Sequence, residues 1–159
     1  MARAITPGLA ALALLCAWIG AAAIVAAVVA PAAFAVLPSR TLAGALVGRV
    51  LPVLFWSGVL VGLASAALTW SLPHRTGRTA AAVVVALACA VAQLVVSPRI
   101  ERIRGAIGGP IDALAAGDTR RIAFGRLHGV SVVLLGLAAL AALAAAILLV
   151  RTIASRTTA

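Results

Sequence analysis

His128 is one of only two histidines in this 159-residue chain. It stands in FGRLHGVS, residues 124–131, directly ahead of the last long apolar run. Phe124, His128, Ser131 and Leu135 are spaced by four, three and four, which places them on one face of a helix. An imidazole beside a hydroxyl suits proton transfer, metal or haem ligation, or hydrogen bonding to a polar solute. Arg126 adds a guanidinium at the same helix end. The competing reading is plain packing: polar groups in lipid bond to neighbouring helices whether or not they do chemistry.

The surroundings of that histidine are apolar. The chain is 65% hydrophobic and only 10% charged, with a mean hydropathy of +1.23. Soluble domains are roughly 45–50% apolar, and helices that are apolar all round need lipid or a very large core. The sequence therefore predicts one integral membrane domain over residues 1–159, all-α, with its main partner the lipid bilayer. The net charge of +10 comes from thirteen basic residues, all arginine. They are spread over every loop and both tails without aromatic interleaving. That pattern suits headgroup anchoring and argues against nucleic acid. Cys16 and Cys89 both lie inside apolar runs, where a thiol behaves as a small hydrophobe.

Four apolar segments predict four spans, at about 8–30, 46–72, 79–97 and 129–150, since a crossing takes about 20 residues. The first is longer than a signal peptide's apolar region of about 7–15 residues, so it reads as a retained helix. Pro31 is expected to close it. The second segment begins near Thr41 and carries Pro52, which predicts an interfacial turn and then a kinked crossing. The long connection, 98–128, repeats Ile100, Ile103, Ile107, Ile111 and Leu114 at helical spacing. It predicts an interfacial amphipathic helix that continues the third span as far as Gly108-Gly109-Pro110, then a shorter surface helix. Gly117-Asp118 reads as a stop followed by an N-cap, so the fourth helix is expected to start near Thr119.

Alternate crossing then sorts the polar groups. His74 falls on the near side, with the N-terminus, and His128 on the far side, separated by about 30 Å of hydrocarbon. One subunit cannot bring both histidines to one metal or haem. The far side collects Phe34, Arg49, Gln93, Arg99, Arg126, His128 and Ser131, a candidate functional cluster around one polar pocket. Arg99, Arg102 and Arg104 read individually as solvated or lipid-facing. Three glycine pairs, Gly44/Gly48, Gly58/Gly62 and Gly125/Gly129, have helix-packing spacing, with Gly58/Gly62 the expected internal contact. Arginines number eight on the far side (40, 49, 99, 102, 104, 120, 121, 126) and five on the near side (3, 75, 78, 151, 156). The positive-inside rule then favours a cytoplasmic far side with both termini outside. The expected location is a bacterial plasma membrane.

PAAF at 31–34, AGALVGRV at 43–50, SPRIERIR at 97–104 and FGRLHGVS at 124–131 together resemble the transmembrane protein 205-like family, also called domain of unknown function 4149. The resemblance covers nearly the whole chain. It implies a four-helix integral membrane domain without an established biochemical activity. Leu134 and Leu135 stand where such proteins often carry an asparagine, which weakens the argument for a polar catalytic centre. The anthrone-oxygenase-like membrane proteins share the four-helix plan. They prefer tryptophan near Phe124 and arginine near Ser131, so the likeness to them is poorer.

Three functions follow as expectations. The first is a non-enzymatic bundle that assembles with itself or with another membrane protein, since all three carboxylates (Glu101, Asp112, Asp118) lie in the long connection. The second is a small-solute pore or transporter with Arg49, Arg126 and His128 at its mouth. The third is an enzyme or cofactor carrier centred on His128. A catalytic metal usually takes about three protein ligands, and one histidine falls short of that. No cofactor and no metal is expected.

Overall fold

The structure is a computed structural model that describes residues 2–70, 72 and 76–157, and side chains between residues 7 and 155. His74, and the part of the near-side loop around it, lie outside the described residues. Among the described residues, six α-helices make four long rods. The first rod joins α1 (Ala2–Ile24) to α2 (Ala30–Val36), and the second is α3 (Arg40–Trp70). The third joins α4 (Thr76–Val91) to α5 (Ser97–Ile107), and the fourth is α6 (Thr119–Thr157). Each contains a stretch long and apolar enough to cross a membrane: Pro7–Val36, Arg40–Trp70, Thr76–Ile107 and Thr119–Ser155. No strand occurs among the described residues. The chain is an all-helical, multi-pass membrane protein.

Three of the four rods run past both ends of their predicted spans, while α3 starts earlier than predicted and stops at Trp70. Pro31 does not close the first rod. A five-residue π-turn, Val25–Val29, precedes it, and the helix resumes through Pro31 to Val36. Pro98 repeats the device after the π-turn Ala92–Val96. Proline lacks an N–H and crowds the carbonyl one turn back; widening that turn gives the ring room. At the second site the Ser97 hydroxyl donates to Ala92 O at 3.0 Å, across the widened turn. Pro52 sits within α3, which runs unbroken from Arg40 with no separate interfacial turn.

The long connection follows its pattern. α5 continues the third rod and ends at Gly108, whose φ of 64° is the left-handed conformation that glycine adopts cheaply. In place of a second surface helix there is a single 3₁₀ turn, Ile111–Ala113. Asp118 then caps α6 by accepting from the Arg120 backbone N–H at 2.8 Å.

In the bundle, α1 packs on α3 and α6, and α4 packs on the same two helices. The core is a column of Leu15, Trp18, Phe55, Val85, Cys89, Ala142 and Leu149. The Trp18 indole donates to Leu54 O at 3.1 Å and ties α1 to α3. Gly58 and Gly62 bring α3 against α4. A Cβ on Gly58 would lie 2.5 Å from Cys89 Sγ, and one on Gly62 would lie 2.6 Å from the Ala86 backbone nitrogen. This pair is the expected internal contact. On the near side, Thr69 and Thr79 share a 3.1 Å hydrogen bond, and buried Arg78 donates to Thr152 Oγ1 at 2.6 Å.

Candidate functional site at the far end of the bundle

Beyond the π-turns the rods separate into two couples: α2 lies on α3, and α5 lies on α6. The space between them forms two adjoining clefts that share Phe34, Gly44, Arg104 and Phe124 as a waist. The inner cleft, about 610 Å³, reaches Arg49, Pro52, Gln93, Glu101, His128 and Ser131. The outer one, about 410 Å³, is bordered by Arg40, Asp112, Arg121 and Gly125. The column of core side chains lies on the near-side flank of the inner cleft.

Arg104 organises the waist. Its guanidinium donates to Gly44 O at 3.3 Å and to Glu101 Oε1 at 3.2 Å. It also lies over the Phe124 ring, 5.5 Å from the centroid, in a cation–π contact. Phe124 in turn stacks on His128, with centroids 6.3 Å apart and planes 5° from parallel. One turn along α6 from the waist, His128 thus lines the inner cleft beside an aromatic neighbour.

Gly48 makes the arrangement possible. A Cβ there would lie 2.7 Å from Arg104 Nη1. Gly44 and Gly48 therefore make room for a guanidinium, whereas a helix-packing pair makes room for another backbone. Gly125 and Gly129 meet nothing within 4 Å, so their spacing marks no helix contact within this chain.

Of the predicted cluster, Phe34, Arg49, Gln93, His128 and Ser131 do line one cleft. Arg99 and Arg126 do not join them. Arg99 is exposed and donates back to Val95 O at 3.1 Å, and Arg126 is exposed on α6. Arg104 is the correction to the sequence reading, since its side chain reaches into the bundle and contacts α3 and α6 as well as its own helix. The spacing does not single it out, since Arg104 follows Ile100 by four residues and Arg99 precedes Ile103 by four. Arg40 and Arg121, placed on the far side by the sequence but not in the predicted cluster, border the outer cleft.

Two further polar features bear on the site. The Gln93 side-chain Oε1 is shut off from solvent with no hydrogen-bond partner. It belongs to the π-turn Ala92–Val96, at the floor of the inner cleft. Above the outer cleft, Arg121 Nη1 donates to Leu114 O at 2.7 Å and fastens the connection to α6. Next to it the Asp118 carboxylate takes hydrogen bonds from the Arg120 side chain at 2.8 and 3.2 Å. Those bonds, then the bond from the Arg120 backbone, pull the Asp118 pKa down to about 2.

Residues 13–107, well over half of the 159, match the family described as Domain of unknown function (DUF4149). The chain belongs to the DUF4149 family. The matched segment holds PAAF, AGALVGRV and SPRIERIR, and therefore Phe34, Gly44, Gly48, Arg49 and Arg104. FGRLHGVS, with Phe124 and His128, lies beyond it. No curated protein and no solved structure matches this DUF4149 chain. Within it, no group of three or more His, Cys, Asp or Glu residues stands close enough for a metal ion among the described residues.

Proposed function

We propose that this DUF4149 protein is a non-enzymatic membrane component that binds an anionic ligand in the cleft pair at the far end of its bundle. The observation that carries the reading is the waist. Arg104 joins two clefts that together expose Arg40, Arg49, Arg104 and Arg121 against only Glu101 and Asp112. A guanidinium excess beside partly apolar cleft walls attracts an anion more strongly than the same charges would in bulk water. Glu101 is already engaged by Arg104, so the surplus falls to Arg49 and to the free donors of Arg104.

Fixed passage of a solute through one chain fits the geometry less well, because close-packed side chains from Trp18 to Leu149 fill the bundle between the clefts and the near side. Catalysis at His128 lacks an acid–base set: Glu101 is the one carboxylate on the inner lining. The arginine count favours a cytoplasmic far side; in a bacterial plasma membrane the ligand would then come from the cytoplasm or the inner leaflet. FGRLHGVS supports a place among the transmembrane protein 205-like members of the family.

The test is native mass spectrometry of the full chain released from its membrane in a neutral detergent, together with anion flux in liposomes. A bound small anion that disappears in Arg104→Gln, with flux no greater than in empty liposomes, is the expected result. Flux that Arg49→Ala abolishes would replace the reading with transport.

A further inference from the structure

We infer that the inner cleft recognises a phosphate ester that carries a hydroxyl group, the chemistry of a glycerol-type phospholipid headgroup or of a free sugar or polyol phosphate. The inference rests on the binding reading above and names its ligand class. Two independent features point to it. One is charge: Arg49 and Arg104 line the cleft with His128, and Glu101 offsets only one of the two guanidiniums. A planar guanidinium presents paired N–H donors that match the oxygen spacing of a phosphate. The other is an orphan acceptor. Gln93 Oε1 lacks a donor although it is cut off from water, and buried polar groups nearly always have one. Simple anions such as chloride or sulfate bring no donor. A hydroxylated phosphate ester brings both: its oxyanion meets Arg104 and Arg49, and its hydroxyl meets Gln93 once that side chain turns toward the cleft it lines. Val47, Leu51 and Phe34 make part of the wall apolar, where a carbon chain or backbone can lie.

The experiment offers three lipids of otherwise equal acyl chains to the detergent-solubilised full chain and reads bound lipid by native mass spectrometry. Phosphatidylglycerol carries the phosphate and hydroxyls. Phosphatidylmethanol has the same charge and no hydroxyl. Phosphatidylcholine has no net charge. The expected order is phosphatidylglycerol above phosphatidylmethanol above phosphatidylcholine, with at least fivefold between the first two. Gln93→Leu should bring the first down to the level of the second, and Arg104→Gln should bring all three together. Displacement of the lipid by soluble glycerol phosphate identifies a free phosphate ester as a sufficient ligand; no displacement identifies the lipid as the source.

Equal retention of phosphatidylglycerol and phosphatidylmethanol by the unaltered protein overturns the hydroxyl requirement, and equal retention of all three overturns the phosphate assignment. These comparisons use unaltered protein, so misfolding of a variant does not affect them. Decyl sulfate separates the two levels of the argument. If it binds in an Arg104-dependent way while none of the lipids does, the anion site stands and the phosphate-ester assignment falls.

Discussion

An ideal Cβ on Gly48 would sit 2.7 Å from Arg104 Nη1, although the two residues belong to different rods, 56 positions apart in sequence. The contact is with the tip of a long, flexible side chain, so the guanidinium can give way while the helices stay in place. Gly48→Ala should therefore fold as well as the parent, helped by alanine's better helix propensity. It should also dislodge Arg104 from the waist. Losing one charge-assisted hydrogen bond is worth about 1.5–3 kcal/mol, so anion binding is expected to weaken roughly 10- to 100-fold. Gly136→Ala, on the open face of α6 with nothing within 4 Å, is the control that should leave binding unchanged. Retention of the co-purified anion at parental levels in Gly48→Ala counts against Arg104 as its ligand.

Gly58 and Gly62 make the opposite case, because their close neighbours cannot retreat. Gly62 faces backbone atoms, Ala86 N at 2.6 Å and Ala82 O at 2.8 Å from the ideal Cβ, and Gly58 faces Cys89 Sγ and the Trp18 ring. Overpacking of this kind costs typically 1–3 kcal/mol. Gly62→Ala should lower the thermal unfolding midpoint in detergent by several degrees, and Gly62→Leu should abolish a folded bundle. Gly125→Ala and Gly129→Ala, with open space around both positions, should raise the midpoint or leave it unchanged.

These glycines show what the sequence could and could not tell. All three pairs have the same spacing, yet one faces the close-packed core against α4, one faces a guanidinium and one faces open space. Spacing specifies that small residues share a face; it does not specify what that face meets. The four helices were legible because apolar length alone demands them, and Asp118 was legible because a cap is a local event. The extension past Pro31 was not, since proline normally marks a helix boundary and only the preceding π-turn overrules it here; past Pro98 the isoleucine spacing had already announced it. At the site, alternate crossing was enough to gather Phe34, Arg49, Gln93, His128 and Ser131 at one end. Arg104 escaped because its role depends on which way α5 faces, and three arginines on a short helix look alike until the packing of α5 on α6 picks one of them.

Asp118 gives α6 a defined acid limit. Its carboxyl titrates near 2 in the folded chain because Arg120 hydrogen-bonds to the charged form. An unfolded aspartate titrates at about 3.9. A lowered folded value means the cap contributes fully above about pH 4 and is lost as the pH falls toward 2. The Arg120 amide, followed by nuclear magnetic resonance in micelles, should keep its capped chemical shift at pH 4 and lose it near pH 2. Asp118→Asn should keep the cap and shed most of this pH dependence. Asp118→Ala should leave the first turn of α6 frayed at every pH. Loss of the capped shift already at pH 4 would contradict the Arg120 pairing.

At the near end, Arg78 is 2% exposed and donates to Thr152 Oγ1 at 2.6 Å, which joins the start of α4 to the last turns of α6. The Thr152 hydroxyl also donates to Leu148 O at 2.8 Å, so its lone pairs are aimed at the guanidinium. Thr152→Val keeps the shape and removes the acceptor. A hydrogen bond to a charged group contributes about 1.5–3 kcal/mol, and a buried charge left one partner short costs on that scale. Thr152→Val should therefore destabilise the bundle by roughly that amount, while Thr152→Ser, which keeps the hydroxyl, should cost less than about 1 kcal/mol. Because this pair lies at the end of the bundle opposite the clefts, neither variant should alter anion binding at fixed folded fraction. Chemical unfolding in mixed micelles, with bound anion measured alongside, separates the two effects. A stability loss as large in Thr152→Ser as in Thr152→Val would show that the hydroxyl is not what holds Arg78.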